Sequence, residues 1–217
     1  MGELMYQEVI MLMKRGPEGL FRGYPLLKKE AEEDNTDAQI QLGMIFEGLG
    51  CAHLGEPFSL MHNYQLAYQW YKIAADCNSP EGLYHCGRIA YLGRIGDADK
   101  RHAPAFWNKA VELGSRKSAF CLAKLYLRGE YVEQDIKQAY ILCVFSRALP
   151  ESEKLLNYII SSNLLDLGSL SYLNNAADKF VRKYEELKAG GIANPTILDD
   201  SGGISEWEMI VEKLSGI

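Results

Sequence analysis

APAFWNKAVELGSRKSAFCLAKLYLRGEYVEQDIKQAYILCVFS, residues 103–146, contains its own echo. Ala103-(x2)-Phe106-Trp107-(x2)-Ala110 returns 36 residues later as Ala139-(x2)-Leu142-Cys143-(x2)-Ser146. At the same interval Gly87-(x5)-Gly93 is answered by Ala123-(x5)-Gly129. Self-similarity at this period marks stacked supersecondary units, each too small to bury its apolar face alone.

Working outward, three helical pairs can be superimposed. The first helices run from Ala38 to Phe46, Gly82 to Ala90 and Ser118 to Tyr126, with small residues at positions one and six and mostly apolar ones at five and nine. That spacing draws a stripe along one helix face. Glycine inside a helix costs about 1 kcal/mol against alanine, so Gly43 and Gly87, aligned with Ala123, imply the close approach of a neighbouring helix. The second helices begin at Ala67, Ala103 and Ala139, and each sets a small residue about one turn from a large one, so that neighbours can interdigitate. Trp70 and Trp107 fall on these core columns. Pro104 sits where a missing N–H is tolerated, and Asn78 with Pro80, Gly114 and Pro150 read as terminators.

The spacings locate an insertion. Gly87 to Ala103 and Ala123 to Ala139 are both 16 residues, whereas Gly43 to Ala67 is 24. Eight extra residues therefore lie in the first intra-pair loop, within 48–63. Extended loops on repeat arrays often touch partners.

The pattern divides the chain into residues 1–36, N-terminal helices forming a partial leading repeat; 37–150, three repeats; and 151–217, C-terminal capping helices. In the first block residues 3–15 and a segment through Tyr24, Leu27 and Ala31 read as helices. In the last, Glu151–Leu165 and Ser171–Lys188 read as helices, with Ser171 as N-cap and Gly190 as stop. A turn-rich loop at 189–204, expected to be mobile, precedes a short helix in Ser205–Leu214. The fold class expected is all-α, an α-α superhelix or solenoid of helical hairpins with a C-terminal helical cap.

Bulk properties narrow the function. The 217 residues, 47% hydrophobic and 24% charged, suffice for a core without disulfides or metals. No run approaches a membrane span. Glu3 and Glu8 interrupt what a secretory signal needs, and Tyr6 stands where myristoylation wants Ser or Thr. A cytoplasmic location is the expectation. Five cysteines without a CxxC pair read as reduced core thiols. The net charge is −6. Residues 37–162 carry 13 basic and 13 acidic side chains, so the acidity lies at the ends and no basic stripe exists. Nucleic-acid binding is not expected.

The pattern A-(x3)-L-G-(x2)-[YF]-(x2)-G, then A-(x2)-W-(x3)-A-A, resembles the Sel-one-like repeat (SLR), a relative of the tetratricopeptide repeat. Ala38, Leu42, Gly43 and Phe46 match its first helix, and Ala67, Trp70, Ala74 and Ala75 its second. The third unit keeps the connecting loop as Gly129-Glu-Tyr131-Val132-(x2)-Asp135-(x3)-Ala139, where the family prefers glycine at Tyr131. The match covers about residues 24–150; Cys86 and Ala90 replace the usual leucine and tyrosine, and the third unit lacks the Trp. The resemblance implies a non-enzymatic adaptor or scaffold, with no catalytic residues to carry over. Among family roles it implies a bacterial immunity protein binding and neutralising a cognate effector toxin, the alternative being a general signalling or assembly adaptor.

Cys51, His53 and His62 share the inserted loop but lack the tight spacing of zinc ligands, so no metal or cofactor is expected. Glu30, Glu32, Glu33 and Asp34 read as a charged helix end and Asp199–Asp200 as part of a loop; no P-loop, dinucleotide fingerprint, GxSxG or HExxH occurs. His85 and His102 read as surface or turn residues. If positions 38, 42, 43 and 46 face the core, then 41, 44 and 47 face away. Transferred to each repeat, that face is Gln41, Met44, Glu47; His85, Arg88, Tyr91; and Cys121, Lys124, Leu127. Its apolar, aromatic and arginine content suits a protein partner, with stoichiometry and oligomeric state left open.

Overall fold

The structure, a computed structural model, describes residues 2–48, 62–162, 164–165, 168 and 170–189. Their regular structure is helical: α1 (Gly2–Met13), α2 (Pro17–Glu32), α3 (Thr36–Glu47), α4 (Tyr64–Asp76), α5 (Pro80–Tyr91), α6 (Ala103–Glu112), α7 (Arg116–Arg128), α8 (Ile136–Phe145), α9 (Pro150–Ser161) and α10 (Leu170–Ala189). A 3-10 turn, Asp97–His102, leads into α6. Among the described residues no helix is long and apolar enough to cross a membrane.

The turns between hairpins repeat one solution. Asp34, Asn78 and Gly114, in equivalent register, all adopt positive φ (65°, 59° and 92°). Asp and Asn tolerate this left-handed conformation through local side-chain hydrogen bonds, and glycine has no Cβ to clash. The residue after each is the N-cap of the next helix. Asn35 Oδ1 accepts from Ala38 N–H, Ser79 Oγ from Gly82 N–H and Ser115 Oγ from Ser118 N–H, at 3.1, 3.1 and 3.3 Å.

Two compact units divide after Gly82. In the first, α1 packs on α2, α2 on α3 and α3 on α4. Tyr6, Val9 and Met13 of α1 join Leu27 and Ala31 of α2 and Leu42 and Ile45 of α3 in one core, against which Trp70 packs. A Cβ at Gly19 would lie 2.1 Å from the Leu12 carbonyl oxygen, and one at Gly23 would lie 2.3 Å from Met13 Cγ. Only glycine allows α1 and α2 this close. In the second unit α6 packs on α7, α7 on α8, and α8 on both α9 and α10. Leu156, Ile159, Leu173 and Ala177 are buried there, and Tyr140 OH donates to Asn174 Oδ1 at 2.9 Å.

The glycine column meets aromatic rings. A Cβ on Gly43 would lie 2.4 Å from Tyr71 Cε1, and one on Gly87 2.4 Å from Trp107 Nε1. In the third hairpin the same register carries Ala123 and Cys143, both buried. A larger first-helix residue there accompanies a smaller second-helix one.

The insertion leaves the hairpin register intact. Asn63 N–H donates to the Phe46 carbonyl at 2.8 Å, and Asp135 N–H to the Tyr126 carbonyl at 3.0 Å. These bonds occupy the same repeat position, although the first closes a loop eight residues longer. Residues 49–61 of that loop, the 190–204 part of the C-terminal loop and the helix expected in Ser205–Leu214 lie outside the described residues.

Three local expectations are corrected. α9 stops at Ser161 rather than Leu165, because Ser161 and Ser162 hydroxyls both donate to the Tyr158 carbonyl and compete with helix propagation. Ser171 lies inside α10, which starts at Leu170. Cys77, at the C-cap of α4, is exposed, while Cys86, Cys121 and Cys143 are buried.

Candidate interaction site

The columns expected to face away from the core do not form one solvated face. Glu47, His85, Arg88, Cys121, Lys124 and Leu127 are buried, while Gln41, Met44 and Tyr91 are half-buried. The reason is helical geometry. Gly43 and Glu47 are four residues apart, so the face that presents glycine to Tyr71 presents the carboxylate as well. Glu47 Oε2 accepts the Tyr71 hydroxyl at 3.0 Å. Gln41 Nε2 reaches Met44 Sδ at 3.7 Å.

In the second unit the corresponding residues crowd along α5 and α7. Arg88 Nη2 donates to His85 Nδ1 at 3.2 Å. His85, expected on the surface or in a turn, instead lies buried in the middle of α5, its ring edge-on to Tyr84. Lys124 Nζ lies 5.2 Å from the Phe120 ring centre, a cation–π distance. Burial pushes the Cys121 thiol up to about 12, opposed by the charges of Lys124, Arg88 and Lys117. Burial does the same to Cys143, up to about 12, opposed by Lys124. Both thiols stay protonated at neutral pH and act as small apolar groups rather than nucleophiles. Cys51 and His53 lie outside the described residues; His62 is exposed.

Burial and the nearby Arg128 guanidinium lower Lys124 to about 8. The folded state thus disfavours its ammonium form. The unfolded chain binds more protons between about 8 and the ordinary lysine value, so this contribution rises with pH across that window, and its penalty is full below about 8. Lys124→Met is expected to raise the melting temperature at pH 7 by a few degrees, about 1 kcal/mol. The difference from wild type should shrink as pH rises from 8 toward 10. Comparing the two proteins cancels the opposite trend of the thiols. A variant no more stable than wild type at pH 7 would contradict the assignment.

The second unit also joins Tyr91 to Glu130 and Tyr131, which the candidate face drawn from the sequence does not include. Tyr91, at the end of α5, donates its hydroxyl to Glu130 Oε2 and Oε1 at 3.2 and 3.3 Å. Its ring lies 5.6 Å from that of Trp107, and 6.3 Å from that of Tyr131 at 82°. Burial, reinforced by the Glu130 charge and hydrogen bond, drives the Tyr91 phenol well above its usual range, so it remains a donor. The only sequence signal for Tyr131 was a bulky residue where the resembled repeat prefers glycine.

No protein-family model matches the sequence, and no curated protein matches it as a relative. Solved structures similar to it include two repeat proteins. A Sel1 repeat protein from Oxalobacter formigenes superimposes with a TM-score of 0.53 at 21% identity, covering 63% of this chain and 98% of that one. A protective antigen present in uropathogenic Escherichia coli strains, described as displaying an SLR fold, gives 0.56 at 16% identity over 92% of this chain. The present chain spans 50% of that antigen's length. At these identities the likeness speaks to the backbone arrangement, and it agrees with the glycine columns, repeated caps and neighbour-on-neighbour helix packing. The chain has the Sel1-like repeat fold.

Proposed function

We propose that this chain is a non-enzymatic protein-binding module, and more narrowly one that neutralises a cognate toxin. The observation that supports binding is the packing order. Within each unit the helices pack mainly on neighbours in sequence, so consecutive helices contribute side chains to a shared surface of that unit. The charged groups of the first-helix columns do not favour an acid–base centre. Glu47 accepts a tyrosine hydroxyl and Arg88 donates to His85, which are structural uses. The narrower reading rests on the resemblance to repeat proteins, some of which accompany toxins.

The test begins with affinity capture of the tagged full chain from its native cells. Each candidate partner is then purified and titrated. One partner forming a stoichiometric complex supports the binding reading. If that partner also arrests growth alone but not when co-expressed with this chain, the neutralising role is supported. Several weak partners from one pathway would favour an adaptor, and no purified partner binding would overturn the proposal. Arg88→Glu and Tyr91→Ala are poor probes here, because both side chains are packed into the fold.

A further inference from the structure

Tyr131 carries a backbone conformation that its side chain does not favour. Its φ is +58°. Asp34 and Asn78 share that region at inter-hairpin turns, but an aromatic residue lacks their short polar group and pays the steric cost outright. Strain kept at an exposed position points to a use for the side chain. The residue is 43% exposed.

Around it the turn is held firmly. Gly129 caps α7 with its N–H on the Leu125 carbonyl, and Glu130 N–H donates to the same oxygen at 3.1 Å. Gln134 Nε2 closes the other side on the Leu127 carbonyl at 2.8 Å. Glu130 is thereby fixed where it accepts from Tyr91, with its side chain one-third exposed. Both carboxylate oxygens retain lone pairs for another donor. Arg128 Nη1 stands 4.0 Å from Glu130 Oε2, too far for a hydrogen bond.

Arg128 aside, whose guanidinium competes at that distance for the Glu130 charge, the elements here favour positive charge. Two tyrosine rings meet nearly at right angles, and ring faces attract cations. A carboxylate stands beside them. Two helix C-termini, those of α5 at Tyr91 and α7 at Arg128, add partial negative charge. A corner between perpendicular rings suits a compact ammonium, whereas a planar guanidinium stacks on one face.

We propose that Tyr91, Glu130 and Tyr131 bind the ammonium group of a lysine side chain presented by the protein partner. This deepens the protein-binding reading and depends on it for the lysine's source. Trp107 backs the Tyr91 ring from inside and keeps it in place.

The probe is N-acetyl-lysine methylamide, titrated into the purified full chain and followed by the tyrosine ring resonances. N-acetyl-norleucine methylamide serves as the uncharged control. Saturable shifts at Tyr91 and Tyr131 are expected with the lysine compound alone. Glu130→Gln keeps an acceptor for Tyr91 and should weaken binding about tenfold. Tyr131→Gly removes one wall, should abolish the shifts and should not lower the melting temperature, because glycine adopts positive φ freely. The proposal is overturned if the norleucine compound gives the same shifts, if no saturation occurs, or if the shifts survive in Tyr131→Gly. Because the titration needs no partner, its result is separate from that of the capture. A captured partner that binds Tyr131→Gly as tightly as wild type would refute this site while leaving the protein-binding reading standing.

Discussion

Trp107→Ala is expected to destabilise the second unit by about 3–5 kcal/mol, the range for emptying a buried aromatic site. Trp107 is among the largest fully buried side chains. Its indole Nε1 donates to the Tyr84 carbonyl at 3.2 Å, its ring atoms Nε1, Cδ1 and Cε2 lie against Gly87, and Tyr91 rests against it. Gly87 has no side chain with which to fill the void, so collapse would require α5 and α6 to move together. Such a loss is a large part of the ~5–15 kcal/mol that holds a typical domain folded. Urea denaturation followed by circular dichroism would measure it, and hydrogen exchange would assign the loss to α5–α7. A cost below about 1.5 kcal/mol would mean that the site relaxes far more than this packing implies.

Gly87→Ala is expected to destabilise by about 2 kcal/mol, against its own helix propensity. Alanine contributes about 1 kcal/mol in a helix interior, but overpacking a rigid core costs up to about 3 kcal/mol or more. The overlap decides the sign, since the new methyl would sit 2.4 Å from Trp107 Nε1. The neighbour is an indole held by its own hydrogen bond, not the far end of a flexible chain. The third hairpin suggests the compensation, because it carries Ala123 and Cys143 at these positions. Gly87→Ala combined with Trp107→Cys should therefore be less damaging than the two single changes added together, by about 1–2 kcal/mol of coupling. Strict additivity in the double-mutant cycle would show that the two positions do not set each other's size.

The repeat was legible in the sequence because its signals are local or strictly periodic. Gly43 and Gly87 announced a close approach, and Tyr71 and Trp107 supply it. The insertion followed from counting, and paired neck hydrogen bonds locate it. The interaction face was harder to read. A simple two-sided division into core and solvent fails, because the first helix of a hairpin is covered over more of its circumference. Glu47, Arg88 and Lys124 are charged yet buried, and residue type alone suggested the opposite. The Tyr91–Glu130 contact joins residues 39 apart through a helix end and a turn, which no short-range pattern records. Tyr131 was visible only as a departure from an expected glycine. Its positive φ is what gives that departure meaning.

The neck formed by Asn63 N–H on the Phe46 carbonyl has one more implication. A loop tied off at its base is a cassette, whose contents can be rewritten without disturbing the frame that carries it. Doubling the length of such a loop costs only about 0.6 kcal/mol in closure entropy, provided the ends still meet. The length and sequence between Phe46 and Asn63 can therefore change at little cost to the register of α3 and α4.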